Sequence, residues 1–425
     1  MSDNPVNAFM SFLAETGVTQ LTTEDLELDG RTLTLSGESL INFGSCSYLG
    51  LETHPALVEG TIDATRRFGT QFSSSRAYLS VTPYSELESM LETLYDAPVV
   101  VTPSTTLGHF AAFSVMVGPK DAVILDQQVH ASVQTAAQTL AAQGIPVSII
   151  RHNDMNKLEA RLKELSGKHD KVWYFADGIY SMYGDYAPFE ELRRLLDTYP
   201  ELHLYIDDAH GNSWCGDHGV GAAWAALPHE PRMVLAVSLN KTYAAAGGAV
   251  IVPNRELAHA MRNLGSTLVF SGPIQPPMLG AAVASAKLHL DGALEDRQLH
   301  LAKLIARLNA QLAARGLPQA VETDSPIFFV PVGSSEAVMD LNVLLREDGY
   351  FCNLAIYPAV SKKRGGLRFM PNANLSLEDA DGLVEAIARH YPSVLKKHGH
   401  TGADIARLFG IEVPGILAEA ERAAS

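Results

Sequence analysis

The sequence predicts an α/β fold: a mostly parallel central sheet covered by helices, followed in the chain by a smaller α+β domain. Two observations carry this. Short, continuously apolar runs at 122–125, 172–175, 202–206 and 234–237 stop abruptly at polar or glycine-rich turns. The segments between them are long enough for helices, such as 155–165 and 189–198. Strands apolar on both faces and separated by helices belong to a parallel sheet buried on both sides.

Taken in order, Val99-Val100-Val101-Thr102-Pro103 reads as a strand, and Ser104-Thr105-Thr106-Leu107-Gly108 as the helix start that follows it. Helix propagation is interrupted near Ser271-Gly272-Pro273 and Pro276-Pro277, and one long helical stretch is then expected over 279–314. Beyond it, 326–332 reads as a strand, 337–347 as a helix and 366–370 as another strand. The expected organisation is an N-terminal segment at 1–60, a large domain at 61–285, a small α+β domain at 286–395 and a helical tail at 396–425. In that tail, Ile405, Leu408, Phe409, Ile411, Ile416 and Leu417 give apolar positions, broken at Pro414.

Hydrophobic residues make up 47% and charged residues 19%, an ordinary globular balance. The formal net charge of −16 argues against nucleic acid or an anionic membrane as the main partner. Cys46, Cys215 and Cys352 are odd in number and form no CxxC pair, so they read as free thiols of a reducing compartment. The Met-Ser-Asp-Asn-Pro start lacks the features of a signal peptide, and no apolar run approaches the roughly 20 residues of a membrane span. A cytoplasmic address is the expectation.

Ligands of such sheets gather beyond the carboxyl ends of the strands. That edge carries Asp126, Asp177, Asp207 and Lys241, with His130, Ser181 and His210 a few residues further on. Lys241 sits among small and apolar residues, where desolvation favours the neutral amine of Schiff-base chemistry, although a surface lysine in a glycine-rich loop would look the same. Asp207, delivered by a strand, can face a protonated ring nitrogen or simply cap a turn. The helix start at Thr105 and Thr106 suits a phosphate group. GxGxxG after a strand and GxxxxGK[ST] are both missing, and His398 and His400 read as a solvated pair, so no metal site is expected.

Together these residues resemble the fold-type I pyridoxal-phosphate enzymes, and within them the α-oxoamine synthases. The resemblance spans about 42–387. It is strongest at Tyr48-Leu49-Gly50-Leu51, Val129-His130-Ala131-Ser132, Tyr180-Ser181-Met182-Tyr183-Gly184-Asp185, Ile206-Asp207-Asp208-Ala209-His210-Gly211 and the loop from Ser238 to Gly248. It implies pyridoxal 5′-phosphate held covalently on Lys241, which also moves the α-proton. It further implies Asp207 at the pyridinium nitrogen, His130 over the ring face, and His210 with Ser181 at the phenolic oxygen. Thr105, Thr106 and Ser238 would cradle the phosphate, and Arg368 would hold the amino-acid carboxylate. The resemblance also implies a homodimer that condenses an amino acid with an acyl thioester on coenzyme A or an acyl carrier protein.

The chain departs from the family pattern at Cys46-Ser47, Thr106, Asn240 and Ser73-Ser74-Ser75-Arg76. The family's threonine for the neighbouring subunit's phosphate is out of place here, with Ser271 the nearest hydroxyl. The lysine loop and the stretch from Tyr357 to Lys363 are somewhat similar to quorum-sensing α-aminoketone synthases, and Lys362, Lys363 and Arg364 could attract an acidic donor. An aminotransferase or lyase would share the cofactor residues, and a non-catalytic partner subunit would share the fold.

Overall fold

The computed structural model describes residues 5–412; the tail positions Pro414, Ile416 and Leu417 lie outside them. The chain divides into two compact units. One comprises Leu49–Ser181 with Asp185–Gln298, and the other the residues up to Tyr48, Met182–Gly184 and those from Leu299 onward.

The first unit is built on a seven-stranded sheet. Its order is Val99–Thr102, Gly248–Ile251, Met233–Ser238, Leu202–Asp207, Val172–Asp177, Ala122–Asp126, Val147–Ile150. All neighbours are parallel except Gly248–Ile251, which runs against both strands beside it. This reversed strand was not foreseen, because a four-residue apolar run behind a glycine-rich loop gives little pattern to read. Alternate residues feed two separate cores, as the pleat requires. Leu204, Ile206, Tyr174, Ala176, Leu235 and Val237 enter one, and Tyr205, Trp173, Phe175, Val234 and Ala236 the other. A side chain's face at the carboxyl edge therefore follows from its parity along the strand.

The predicted helices at 155–165 and 189–198 are present with those bounds. The helix expected over 279–314 is instead two, Pro276–Leu290 and Glu295–Ala314. Between them Gly292 adopts φ +68°, and the Ala293 N–H turns back to the Leu288 carbonyl at 3.0 Å. A left-handed residue ends a helix because it cannot continue the right-handed ladder. The first of the two opens with Pro276, where a missing N–H costs nothing.

In the second unit, Phe328–Gly333 and Gly365–Phe369, close to the two strands expected from sequence, form an antiparallel sheet with Asn353–Ala355, a three-residue strand that was not expected. Thr32–Leu35, Glu38–Asn42 and Tyr350–Phe351 form another. Helices Ser335–Glu347 and Leu377–Lys397 pack in this unit, and Gly402–Phe409 ends at Gly410 in the left-handed region. Among the described residues no helix is long and apolar enough to cross a membrane.

Candidate active site

The carboxyl edge of the seven-stranded sheet holds a cavity of about 200 Å³. Its lining includes Ser104, Thr105, Thr106, His130, Asp177, Asp207, His210, Ser238, Asn240 and Lys241. A larger cleft of about 470 Å³ lies at the opposite edge, among Lys171, Trp173, His203 and Arg232, and brings together none of these groups.

Asp207 ends its strand two residues after Tyr205, so both project to the same face. Helix Thr105–Met116 packs on that face and contributes His109, which is fully buried. His109 Nδ1 lies 2.7 Å from the Tyr205 hydroxyl, and its Nε2 lies 3.2 Å from Asp207 Oδ2. Asp207 Oδ1 accepts the Ala209 N–H at 3.1 Å. Burial raises the Asp207 carboxyl, but His109, together with Lys241 and His130, more than offsets it and holds the group at about 2. The cavity thus has a buried carboxylate kept ionised at neutral pH.

Asp177 ends the neighbouring strand directly beside Asp207 and accepts the His130 backbone N–H at 3.0 Å. Burial and the adjacent Asp207 charge push its carboxyl well above the ordinary range. Two neighbouring acids are thereby driven apart, one charged and one neutral. The His130 ring is exposed, and its Nδ1 is 2.6 Å from Ser132 Oγ at the start of helix Ala131–Ala142.

Lys241 enters from the loop between Met233–Ser238 and Gly248–Ile251, and its Nζ is 2.9 Å from His210 Nε2. The loop is pinned internally. Asn240 Oδ1 accepts the Gly247 N–H at 2.6 Å, Ser238 Oγ accepts the Asn240 N–H at 3.2 Å, and Ala244 stands at φ +55°. A non-glycine residue in that region is strained by about 1 kcal/mol or more. Asn240, a departure from the family pattern, therefore has a local task, tying the lysine loop across its base.

Facing the lysine is the helix start at Thr105. Ser104 Oγ caps the Leu107 N–H at 3.1 Å, and the first-turn amides of Thr105 and Thr106 have no acceptor within the helix. Gly248 allows this approach, since a Cβ there would stand 2.7 Å from the Thr105 nitrogen.

Of the residues singled out from sequence, Thr105, Thr106, His130, Asp177, Asp207, His210, Ser238 and Lys241 line this one cavity. Ser181 is half-buried just past the Ile179–Tyr186 bridge and is not in the lining. Ser271 donates to the Thr267 carbonyl and is also outside the lining. Arg368 belongs to the second unit, where it pairs with Phe329 and Asn353 in the antiparallel sheet. His109 was missed by sequence reasoning. Its only signal was one imidazole among the apolar residues of Thr105–Met116.

The sequence pattern of aminotransferase class I and II matches residues 38–387. The chain belongs to that family. It is 31% identical over 369 residues to the 8-amino-7-oxononanoate synthase of Maricaulis maris, which covers 86% of this chain and 90% of the relative. It is 29% identical over 362 residues to the serine palmitoyltransferase of Sphingobacterium spiritivorum, covering 84% and 87% respectively. The solved structure of serine palmitoyltransferase from Sphingomonas wittichii shares its fold, with a TM-score of 0.83 at 24% identity over 93% of this chain and 98% of that one. Within the family, the chain falls with the α-oxoamine synthases, pyridoxal-phosphate-dependent C-acyltransferases.

The residues present fit that cofactor. An amine, an ionised buried carboxylate and a pair of helix-start amides face one cavity, matching the aldehyde, the ring N–H and the phosphate of pyridoxal 5′-phosphate.

Proposed function

We propose that this chain joins an amino acid to an acyl thioester with loss of CO2, giving an α-aminoketone and a free thiol. The observation that carries the reading is Lys241 Nζ at 2.9 Å from His210 Nε2, in the same cavity as the ionised Asp207. Family membership supports the reaction class.

Pyridoxal phosphate, when bound, supplies an electron sink for the charge left on the amino acid's α-carbon. Lys241 would hold it through Nζ, and the same amine is the group assigned to take the α-proton. His210, in hydrogen-bond contact with that amine, orients it and would bond the cofactor's phenolic oxygen, with Ser181 assigned beside it. Asp207, held ionised, would keep the ring nitrogen protonated. His109 acts through Asp207 and is a positioning residue. His130, whose imidazole is exposed at the cavity, would stack on the ring. Thr105, Thr106 and Ser238 hold the phosphate, and Ser271 is assigned to the phosphate of a second copy. Arg368 takes the amino-acid carboxylate with a planar fork. Overall, the α-carbon bonds to the acyl carbonyl carbon, the thiolate leaves, the carboxylate departs as CO2, and a proton returns to the α-carbon.

We assign the working form as a cytoplasmic homodimer, on family resemblance. The test is a screen of amino acids against the visible spectrum of the cofactor-loaded protein, followed by thiol and CO2 release with added thioesters. An amino acid that changes the spectrum and releases both products with a thioester supports the proposal. Amino-group transfer to a keto acid without CO2 would replace it with an aminotransferase reading.

A further inference from the structure

We propose that His289 is a positioning residue of the active site, holding the His210–Lys241 contact in place through Ser213 and Tyr243. The inference rests on the condensation proposed above, in which that contact aims the amine at the α-proton. His210 and Lys241 belong to separate stretches of chain, one following strand Leu202–Asp207 and the other strand Met233–Ser238. Their approach to 2.9 Å therefore depends on what ties the two stretches together. Ser213 stands three residues beyond His210 and Tyr243 two beyond Lys241, and the His289 side chain meets both.

His289 lies near the end of helix Pro276–Leu290 and is buried. Its Nδ1 is 2.7 Å from the Ser285 carbonyl, which can only accept, so Nδ1 carries the proton. Nε2 is then left to accept the Ser213 hydroxyl at 2.7 Å. Burial pushes the imidazole down to about 4, which keeps it neutral and in this tautomer at working pH. The Tyr243 ring stacks on it, 4.7 Å between centres and 13° from parallel. The Tyr243 hydroxyl is buried with no hydrogen-bond partner among the described residues, so the ring is held by packing, the His289 stack included.

The backbone at Ser213 points to its hydroxyl as the feature that matters. Ser213 stands at φ +81°, which glycine adopts without strain and serine does not. Its N–H bonds the Gly219 carbonyl at 2.6 Å, and its own carbonyl accepts from Gln298 Nε2 at 2.9 Å. Glycine would make both of those contacts. Serine adds only the hydroxyl, and the hydroxyl goes to His289. Strained non-glycine residues of this kind gather at functional sites. Asn212 Nδ2 gives the two stretches a second tie, donating to the Ser238 carbonyl at 3.0 Å, and Trp214 Nε1 fixes the His210 carbonyl at 2.7 Å. The His289 tie is the one that reaches beyond Lys241, and a misplacement of about 1 Å can cost roughly 10²-fold in rate.

The test uses the cofactor-loaded protein and three readouts: exchange of an amino acid's α-proton with deuterated solvent, crystal structures, and the thermal unfolding midpoint. Ser213→Gly and His289→Phe each remove the hydrogen bond, the first while easing φ and the second while keeping a ring against Tyr243. Each should lower the saturating exchange rate roughly tenfold and leave the half-saturating amino-acid concentration within about twofold. The double variant should be no slower than either single one, since the same bond is lost in all three. His289→Leu, which also loses the stack, should be slower still. His289→Gln, whose amide can accept the Ser213 hydroxyl, should recover part of the loss. Crystals of the slowed variants should show Lys241 Nζ displaced from His210 by about 0.5 Å or more relative to wild type. His218→Asn removes only a 2.9 Å bond to the His289 backbone carbonyl, so it should lower the unfolding midpoint and leave the exchange rate unchanged.

Wild-type exchange rates in both Ser213→Gly and His289→Phe overturn the proposal. So do rate losses that simply follow the unfolding midpoint across all variants, His218→Asn included, or variant crystals in which lysine and histidine have not moved. The crystals need no amino acid, so they decide the matter even where none evokes exchange. The condensation reading is judged separately, by CO2 and thiol release from wild type with added thioesters. If those products fail to appear while exchange responds to the variants as described, the positioning role stands and the condensation reading fails.

Discussion

Replacing Asp208 with asparagine should change the pH dependence of stability in a way that follows from its surroundings. Asp208 is fully buried beside Asp207 and enclosed by glycines. A Cβ at Gly178, Gly211 or Gly221 would stand 2.2, 2.1 or 2.4 Å from its carboxylate oxygens. Oδ2 accepts the Ala223 N–H at 2.9 Å, whereas Oδ1 has no hydrogen-bond partner. Burial, added to by the Asp207 charge, pushes this carboxyl up to about 7. The unfolded group titrates near 3.9, so between these values the folded chain binds the extra proton, and stability falls as pH rises. From pH 5 to pH 8 wild type should lose about 2–3 kcal/mol relative to Asp208→Asn, at 1.36 kcal/mol per unit. The constant cost of the amide cancels in this comparison, as do all other titrating groups shared by the two proteins. Urea unfolding midpoints of both proteins across that range provide the assay. A stability difference that does not vary with pH would refute the reasoning.

Three further outcomes follow from the same geometry. Asp207→Asn should retain the cofactor but lower kcat about 10²–10³-fold, because the proposed role needs the buried charge that this change removes; steady-state kinetics with the spectrum as a binding control decide it. His109→Phe should lower kcat roughly tenfold and move the acid limb of the pH–rate profile upward as Asp207 loses the partner that keeps it ionised, with His109→Asn partly restoring both. His152 sits between Asp126 at 2.9 Å and Asp185 at 2.6 Å. Burial opposes its charge, yet the two carboxylates raise it to about 9. Its stabilisation is therefore fully present below about pH 6.5 and lost as pH rises through 9, a change of at most about 3 kcal/mol. His152→Gln should be clearly less stable than wild type at pH 6 and nearly equal at pH 10 by thermal unfolding midpoint.

Much of this was legible because burial and chemistry coincide at strand ends. An apolar run closed by Asp207-Asp208, or by Ser238 ahead of Lys241, announces both a strand and what it delivers to the sheet edge. The strand at Val99–Thr102 and the capped helix after it were equally readable, because Ser104 marks the boundary. His109 was not legible, since its meaning depends on a helix packing onto the Tyr205 face, a tertiary fact. The reversed strand Gly248–Ile251 and the break at Gly292 were lost for local reasons, one too short for periodicity and the other dependent on a single backbone angle. Opposite carboxyl shifts at Asp177 and Asp207 follow from who faces each group, and spacing along the chain does not encode that.

Reductive trapping interrogates the centre of the account most directly. The protein loaded with pyridoxal 5′-phosphate is reduced with borohydride, digested, and its peptides weighed. The account places the stable pyridoxyl mass on the peptide bearing Lys241 and predicts its disappearance, together with turnover, in Lys241→Ala. A protein that stays colourless when loaded, or that carries the adduct on a different lysine, would contradict it.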